Sequence, residues 1–174
     1  MNPDKEIIRN HRQLFEFSCV PMAVEFVLKL IEHAERGYFE LQEKSQNNKL
    51  GTFADFDNRE INGVKFQHKF SVKGGRNFPP EKMKKLFETI DRELDEKKRY
   101  VIISVANDPA EPSQGWHNFV IYDRNKEGEY EAVSKTFQPD LNVHDDSDTW
   151  RRSDIRKKVT EMTGTDILTY DPIS

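Results

Sequence analysis

Residues 13–30 read QLFEFSCVPMAVEFVLKL and carry the strongest structural signal of the chain. Over residues 19–36 the apolar positions recur every three or four residues, which predicts one largely buried helix. Pro21 is tolerated only in the first turn of a helix, where its missing N–H group needs no partner. We therefore expect the helix to begin at Cys19.

Outside this segment the pattern predicts four further elements. A second helix is expected over residues 80–97, and YVIISVA at residues 100–106 is typical of a strand buried on both faces. Residues 117–122 and 130–134 predict a hairpin around a turn at residues 123–128. A last helix is expected over residues 149–163, capped by Asp148 and stopped at Gly164. Residues 37–80 predict loops with one or two short strands.

Length and composition indicate a single domain over residues 1–174. The net charge of −4 provides no basic surface for nucleic acid or an anionic membrane. No apolar run approaches the ~20 residues needed to cross a bilayer, and the N-terminus lacks the apolar core of a signal peptide. We expect a cytoplasmic protein, or one that is exported without a cleavable signal peptide.

Cys19 is the only cysteine, which excludes an intrachain disulfide and a multi-thiolate zinc site. A helix N-terminus supplies partial positive charge and free N–H groups, and both stabilise a thiolate. The position of Cys19 therefore suits a nucleophile. The alternative is a small buried core residue, which is the commoner role of a single cysteine.

Two other residues favour the nucleophile. Gln13 precedes Cys19 by six residues, so a short loop could return its amide to the thiol as an oxyanion donor, together with the Cys19 N–H group. His117 begins an otherwise apolar strand, which would hold it rigidly as the base. The alternatives are a surface glutamine and a histidine that is either a core residue with a hydrogen-bond partner or at an exposed strand end.

The block around Cys19 and the block around His117 together resemble papain-like cysteine peptidases. The closest resemblance is to the compact bacterial branch that includes the peptidase domains of peptide-exporting ABC transporters. It covers about two thirds of the chain and leaves residues 37–75 unexplained. It implies an α+β, papain-like fold, in which a buried N-terminal helix carrying the cysteine packs on an antiparallel sheet carrying the histidine. Val20 departs from the glycine that often follows the cysteine in this family.

The third catalytic position also departs from the family, which has Asp or Asn on the strand after the histidine. If Asp123 pairs with Gly128 across the turn, Ser134 faces His117, with Cβ atoms about 5 Å apart. Ser134 would then orient the imidazole less firmly than a carboxylate does. Asp140 from the following loop, or no residue at all, are the alternatives. Asp123 itself lies about 20 Å along the strand from His117.

These residues predict a thiol-dependent hydrolase acting on peptide or isopeptide bonds of a protein or peptide substrate. A deamidase or an acyl transferase would use the same residues, and a papain-like binding module without catalysis is the third hypothesis. No cofactor is implied. The acidic run at residues 144–148 lacks the spacing of a calcium loop, so no metal site is expected.

Overall fold

Six strands form one antiparallel sheet in the computed structural model, which describes residues 3–47, 50–73, 79–106, 116–135 and 164–173. The strands are β1 (Glu60–Ile61), β2 (Val64–Lys73), β3 (Val101–Ala106), β4 (Trp116–Arg124), β5 (Tyr130–Val133) and β6 (Gly164–Pro172), in the order β1-β2-β6-β3-β4-β5. The helices are α1 (Lys5–Asn10), α2 (Cys19–Leu30), α3 (Glu40–Ser45) and α4 (Pro80–Asp91). A 3-10 turn covers Ala54–Phe56, and a π turn covers Arg92–Glu96. The predicted α+β class is confirmed.

Helix α2 begins at Cys19, as predicted, but it ends at Leu30 rather than near residue 36. The chain closes the helix by donating the N–H of Glu32 to the carbonyl of Lys29 and the N–H of His33 to the carbonyl of Leu28. Glu32 takes a left-handed conformation with φ of 63°. This closing motif usually has glycine at the left-handed position, so a helix end at Glu32 could not be predicted from residue type.

Each face of the sheet packs against a different helix. Helix α4 covers one face, where the apolar cluster includes Leu86, Phe87 and Ile90 of the helix and Phe119 and Ile121 of β4. Helix α2 covers the other face, where the cluster includes Val24 and Val27 together with Val120, Ile102 and Leu168. Alternate residues of β3, β4 and β6 therefore point to opposite helices, as the pleat of a strand requires.

The hairpin of β4 and β5 forms, but its predicted register is wrong. Val120 pairs with Val133 and Ile121 pairs with Ala132, with an irregularity between Ile121 and Asp123. The turn lies at Asn125–Gly128 because the Asn125 side chain accepts from the N–H groups of Glu127 and Glu129. This local turn shifts the pairing, and continuing it by one residue sets Ser134 beside Phe119 rather than His117.

The other predicted elements are found with altered ends or lie outside the described residues. The strand at residues 100–106 is confirmed as β3, and the second helix is α4 followed by the π turn. Strands β2 and β6 run alongside each other over most of their length, yet β6 was not predicted and β2 is longer than expected. The helix predicted over residues 149–163 and Asp140 lie outside the described residues. No helix in the described ranges has the length and apolar character to cross a membrane.

Candidate thiol site

Cys19 lies at the first position of α2, and its side chain is partly buried between the helix and the sheet. Burial raises the pKa of the Cys19 thiol above its ordinary value. The backbone N–H groups of Val20 and Cys19 and the side-chain amide of Asn118 lower the same pKa, but by less. With these surroundings alone, Cys19 carries its proton at neutral pH and needs a base before it can attack.

The strand residue beside the thiol is Asn118 on β4. Its side chain is 1% exposed, and it lies on the same face of the sheet as Val120, the face that α2 covers. Apart from the contact of the amide with the Cys19 thiol, neither its carbonyl oxygen nor its NH₂ group has a hydrogen-bond partner in the described part of the chain. Each buried polar group without a hydrogen-bond partner costs about 1–3 kcal/mol, so the Asn118 side chain lowers the stability of the fold.

Asn118 is one end of a row of polar side chains that crosses this face of the sheet. It pairs with Ser104 on β3, and Ser104 pairs with Asp166 on β6. The Asp166 carboxylate lies 2.8 Å from Nε2 of His68, on β2. We call these four residues the polar row. They occupy the face that is otherwise filled by the apolar residues packed against α2.

The loop before Cys19 is held by a single buried glutamine from α3. Gln42 accepts at Oε1 from the Leu14 N–H, 2.7 Å away, and from the Ser18 hydroxyl, also 2.7 Å away. Its NH₂ group donates to the carbonyl of Arg12 at 3.0 Å and to Glu25 Oε1 at 2.7 Å. All four hydrogen-bonding positions of the amide are used. Gln42 thus connects this loop to Glu25 of α2 and fixes the approach to Cys19.

Gln13, the predicted oxyanion donor, is buried within this loop. Its NH₂ group donates to the carbonyls of Phe15 at 2.7 Å and Glu16 at 3.0 Å. Both of its amide hydrogens are therefore directed at the loop itself. For Gln13 to stabilise an oxyanion, the amide would have to leave one of these carbonyls, so the role assigned from the sequence stays a prediction.

Three buried ionisable residues, His11, Glu25 and Lys29, lie behind the loop that precedes Cys19. Lys29 Nζ donates to His11 Nδ1 at 2.9 Å, and Nε2 of the same ring bonds to the Met22 carbonyl at 2.9 Å, so His11 is neutral. Burial lowers the pKa of His11 well below its usual value and lowers the pKa of Lys29 to about 8. Burial raises the pKa of Glu25 to about 7, although Gln42 and Leu41 donate to its carboxylate.

The two other predicted site residues, His117 and Ser134, lie in or next to the hairpin of β4 and β5. His117 is on β4, where its backbone pairs with Val105, and it directly precedes Asn118; its side chain lies outside the described residues. Ser134 is buried at the end of β5, but the register removes the pairing with His117 that suggested it as the third catalytic member. The structure thus brings Cys19 to the strand that carries His117. The contact between the two side chains stays a prediction.

Sequence reasoning missed Gln42 and Asn118. Asn118 carried a usable signal, because residues 118, 120 and 122 share one face of the strand and only the first is an amide. Gln42 carried none, since it lies 24 residues after Ser18 in a segment without clear periodicity.

No family model, curated protein or solved structure matches this chain. Within the described ranges, no group of three or more His, Cys, Asp and Glu residues is placed to hold a metal ion.

Proposed function

We propose that the protein is a thiol-dependent hydrolase of papain-like fold, with Cys19 as its nucleophile and His117 as its base. The observation that carries the proposal is the position of Cys19. It starts a buried helix, its thiol contacts a buried amide on β4, and His117 is the preceding residue of that strand. Successive strand residues alternate between the two faces, and Asn118 is the one on the α2 face, so the assignment of His117 as the base rests on the resemblance of the sequence blocks.

The proposed reaction is acyl transfer to the thiol and then to water. Cys19 Sγ attacks the substrate carbonyl carbon while its proton passes to His117, and the π electrons of the carbonyl move to the oxygen. The tetrahedral intermediate collapses, the C–N bond breaks, and the imidazolium protonates the leaving amine. Water, deprotonated by His117, then attacks the thioester, releases the acid and restores the thiol. The peptide or isopeptide bond as substrate rests on the resemblance of the two sequence blocks.

The raised pKa of Cys19 makes this proposal testable by alkylation. Native protein would be treated with iodoacetamide from pH 5 to 9, and modification of Cys19 would be followed by mass spectrometry. A base at His117 predicts labelling well below the pKa of an ordinary thiol, and His117→Ala should abolish that low-pH labelling. Wild-type labelling slower than a model thiol, and unchanged by His117→Ala, would show that Cys19 has no base.

Deamidation and transfer to another acceptor use the same acyl-enzyme. Mass analysis of the products separates them. Hydrolysis of a peptide bond divides the chain, deamidation of glutamine adds about one dalton, and transfer adds the mass of the acceptor, all through the same thioester. Cys19→Ser is the control for each reaction, because it keeps the size of the side chain and removes the thiol.

Two observations favour a second candidate, a binding module that keeps the fold without catalysis. Burial raises the pKa of the thiol, and both amide hydrogens of Gln13 are already used by the loop. For this candidate, low-pH labelling should be absent and no acyl-enzyme should form.

A further inference from the structure

The Asn118 amide is the buried group whose presence is least explained by a contribution to stability. A strand position on an apolar face normally carries an apolar side chain, as Val120 does two residues later. Asn118 is instead a buried amide whose two polar atoms have no partner in the described part of the molecule except the Cys19 thiol at the helix N-terminus. An unsatisfied donor at such a place is available to a ligand that brings its own acceptor.

Gln13 and Asn118 differ in the partners of their side-chain NH₂ groups. The Gln13 amide was the donor expected from the sequence, but its two hydrogens already point at the carbonyls of Phe15 and Glu16. The Asn118 NH₂ group has the reacting Cys19 thiol as its only described partner. A donor that stabilises a transition state should be preorganised and free before the substrate arrives, and Asn118 meets that condition better.

We propose that Asn118 is a catalytic residue of this site, whose side-chain NH₂ group donates to the carbonyl oxygen of the substrate as Cys19 attacks. The inference rests on the proposed function. When the C–S bond forms, the carbonyl electron pair moves to oxygen, and the Asn118 N–H and the Cys19 backbone N–H stabilise that negative charge. When the intermediate collapses, the carbonyl reforms and the hydrogen bond weakens again. The ligand class is therefore an acyl group with an uncharged carbonyl: an amide, an ester or a thioester.

Two reagents distinguish stabilisation of the oxyanion by Asn118 from a general effect on the reactivity of the Cys19 thiol. Acylation of Cys19 by p-nitrophenyl acetate passes through an oxyanion, whereas alkylation by iodoacetamide does not. Both rates would be measured at pH 7 on wild type, Asn118→Ala and Asn118→Leu, with Ser104→Ala as the control. Ser104 is the buried neighbour of Asn118 in the polar row, on β3. Circular dichroism would verify that each variant is folded, and Asn118→Leu retains the side-chain volume if the alanine variant does not fold.

Asn118→Ala and Asn118→Leu should lower the acylation rate by about 100-fold, the usual effect of removing one oxyanion donor. The alkylation rate should fall by no more than about threefold, because Asn118 contributes only part of the stabilisation of the thiolate. Ser104→Ala should leave the ratio of the two rates unchanged. Equal losses in both reactions, or no loss in either, would overturn the role of Asn118 while leaving Cys19 as the nucleophile. Absence of wild-type acylation would overturn both proposals.

Discussion

The two faces of the sheet bury apolar surface in similar ways but treat polar groups differently. The face under α4 is filled mainly by an apolar cluster of Met, Leu, Phe, Ile, Val and Ala side chains, together with Tyr130, whose hydroxyl donates to Asp91. The face under α2 also has an apolar cluster, yet it carries the polar row, Cys19 and, behind the loop, the Glu25, Lys29 and His11 network. Buried polar groups contribute little net stability. We therefore expect substitutions on the α4 face to affect mainly folding, and substitutions beside Cys19 to affect the proposed chemistry.

The largest expected effect comes from the α4 face. Phe87→Ala removes a side chain that is 1% exposed and stacks on Tyr130 with ring centroids 6.2 Å apart. We expect the free energy of unfolding to fall by about 3–5 kcal/mol. Urea denaturation measures the loss. Labelling of Cys19 in the fraction that remains folded should keep its wild-type pH profile, and a changed profile would contradict the division between the faces.

Gln42→Ala should come next, because it removes a partner from two buried and two partly buried groups at once. We expect a loss of about 2–4 kcal/mol in the free energy of unfolding. Phe17→Ala is the matched control in the same loop. Phe17 is 82% exposed, so its removal should change stability by no more than about 0.5 kcal/mol. Equal effects of the two variants would mean that Gln42 does not hold the loop.

A smaller effect concerns the pH dependence of stability. Burial raises the pKa of Glu25 from 4.5 to about 7, so between these pH values the native state holds a proton that the unfolded chain has lost. This contribution is present below pH 4.5 and is lost as the pH rises to 7, by about 1.4 kcal/mol per pH unit at most. Glu25→Gln has no such proton, so its stability relative to wild type should improve from pH 5 to pH 7.

Urea midpoints of both proteins at pH 5 and pH 7 would measure that difference. Comparison of variant with wild type is necessary because His11 contributes a slope of opposite sign: burial lowers its pKa, so its stabilising effect is lost as the pH falls below 6.5. Lys29, with its pKa lowered to about 8, stays charged in both states across this range. Parallel pH profiles for the two proteins would show that Glu25 is ionised throughout.

The smallest effect on stability, and the sharpest contrast with Phe87, is expected for Asn118→Leu. It removes two buried polar atoms whose only partner in the described residues is the Cys19 thiol, and it substitutes a side chain of similar size. Stability should be unchanged or higher by about 1 kcal/mol. Thermal and urea denaturation would test this. A loss comparable to that of Phe87→Ala would mean that the Asn118 amide is part of the structural core.

Elements with a local sequence pattern could be predicted, whereas features set by contacts between distant segments could not. Helices α2 and α4 and strand β3 follow from apolar periodicity, because each buries a continuous apolar stripe. The hairpin register was wrong because the Asn125 side chain, a local hydrogen-bonding group, sets the turn and outweighs the simple count of residues. Strand β6 pairs with β2 across about 100 residues of sequence, and neither strand has a local signal of that partner. Gln42 was missed for the same reason.

The candidate site was predicted in outline: Cys19 at the helix start and a later strand beside it. Its details depend on hydrogen bonds between segments distant in sequence. These bonds occupy the Gln13 amide and leave the Asn118 amide available, a distinction that residue type alone does not contain.

The most direct test of the account is the intact mass of the protein within seconds of mixing with p-nitrophenyl acetate at pH 7. Nucleophilic attack by Cys19 with His117 as base should give one acetyl group per chain, located on the peptide that contains Cys19, absent in Cys19→Ser and greatly reduced in His117→Ala. Acetylation of lysines alone, or of Cys19 no faster than a model thiol and independent of His117, would contradict it.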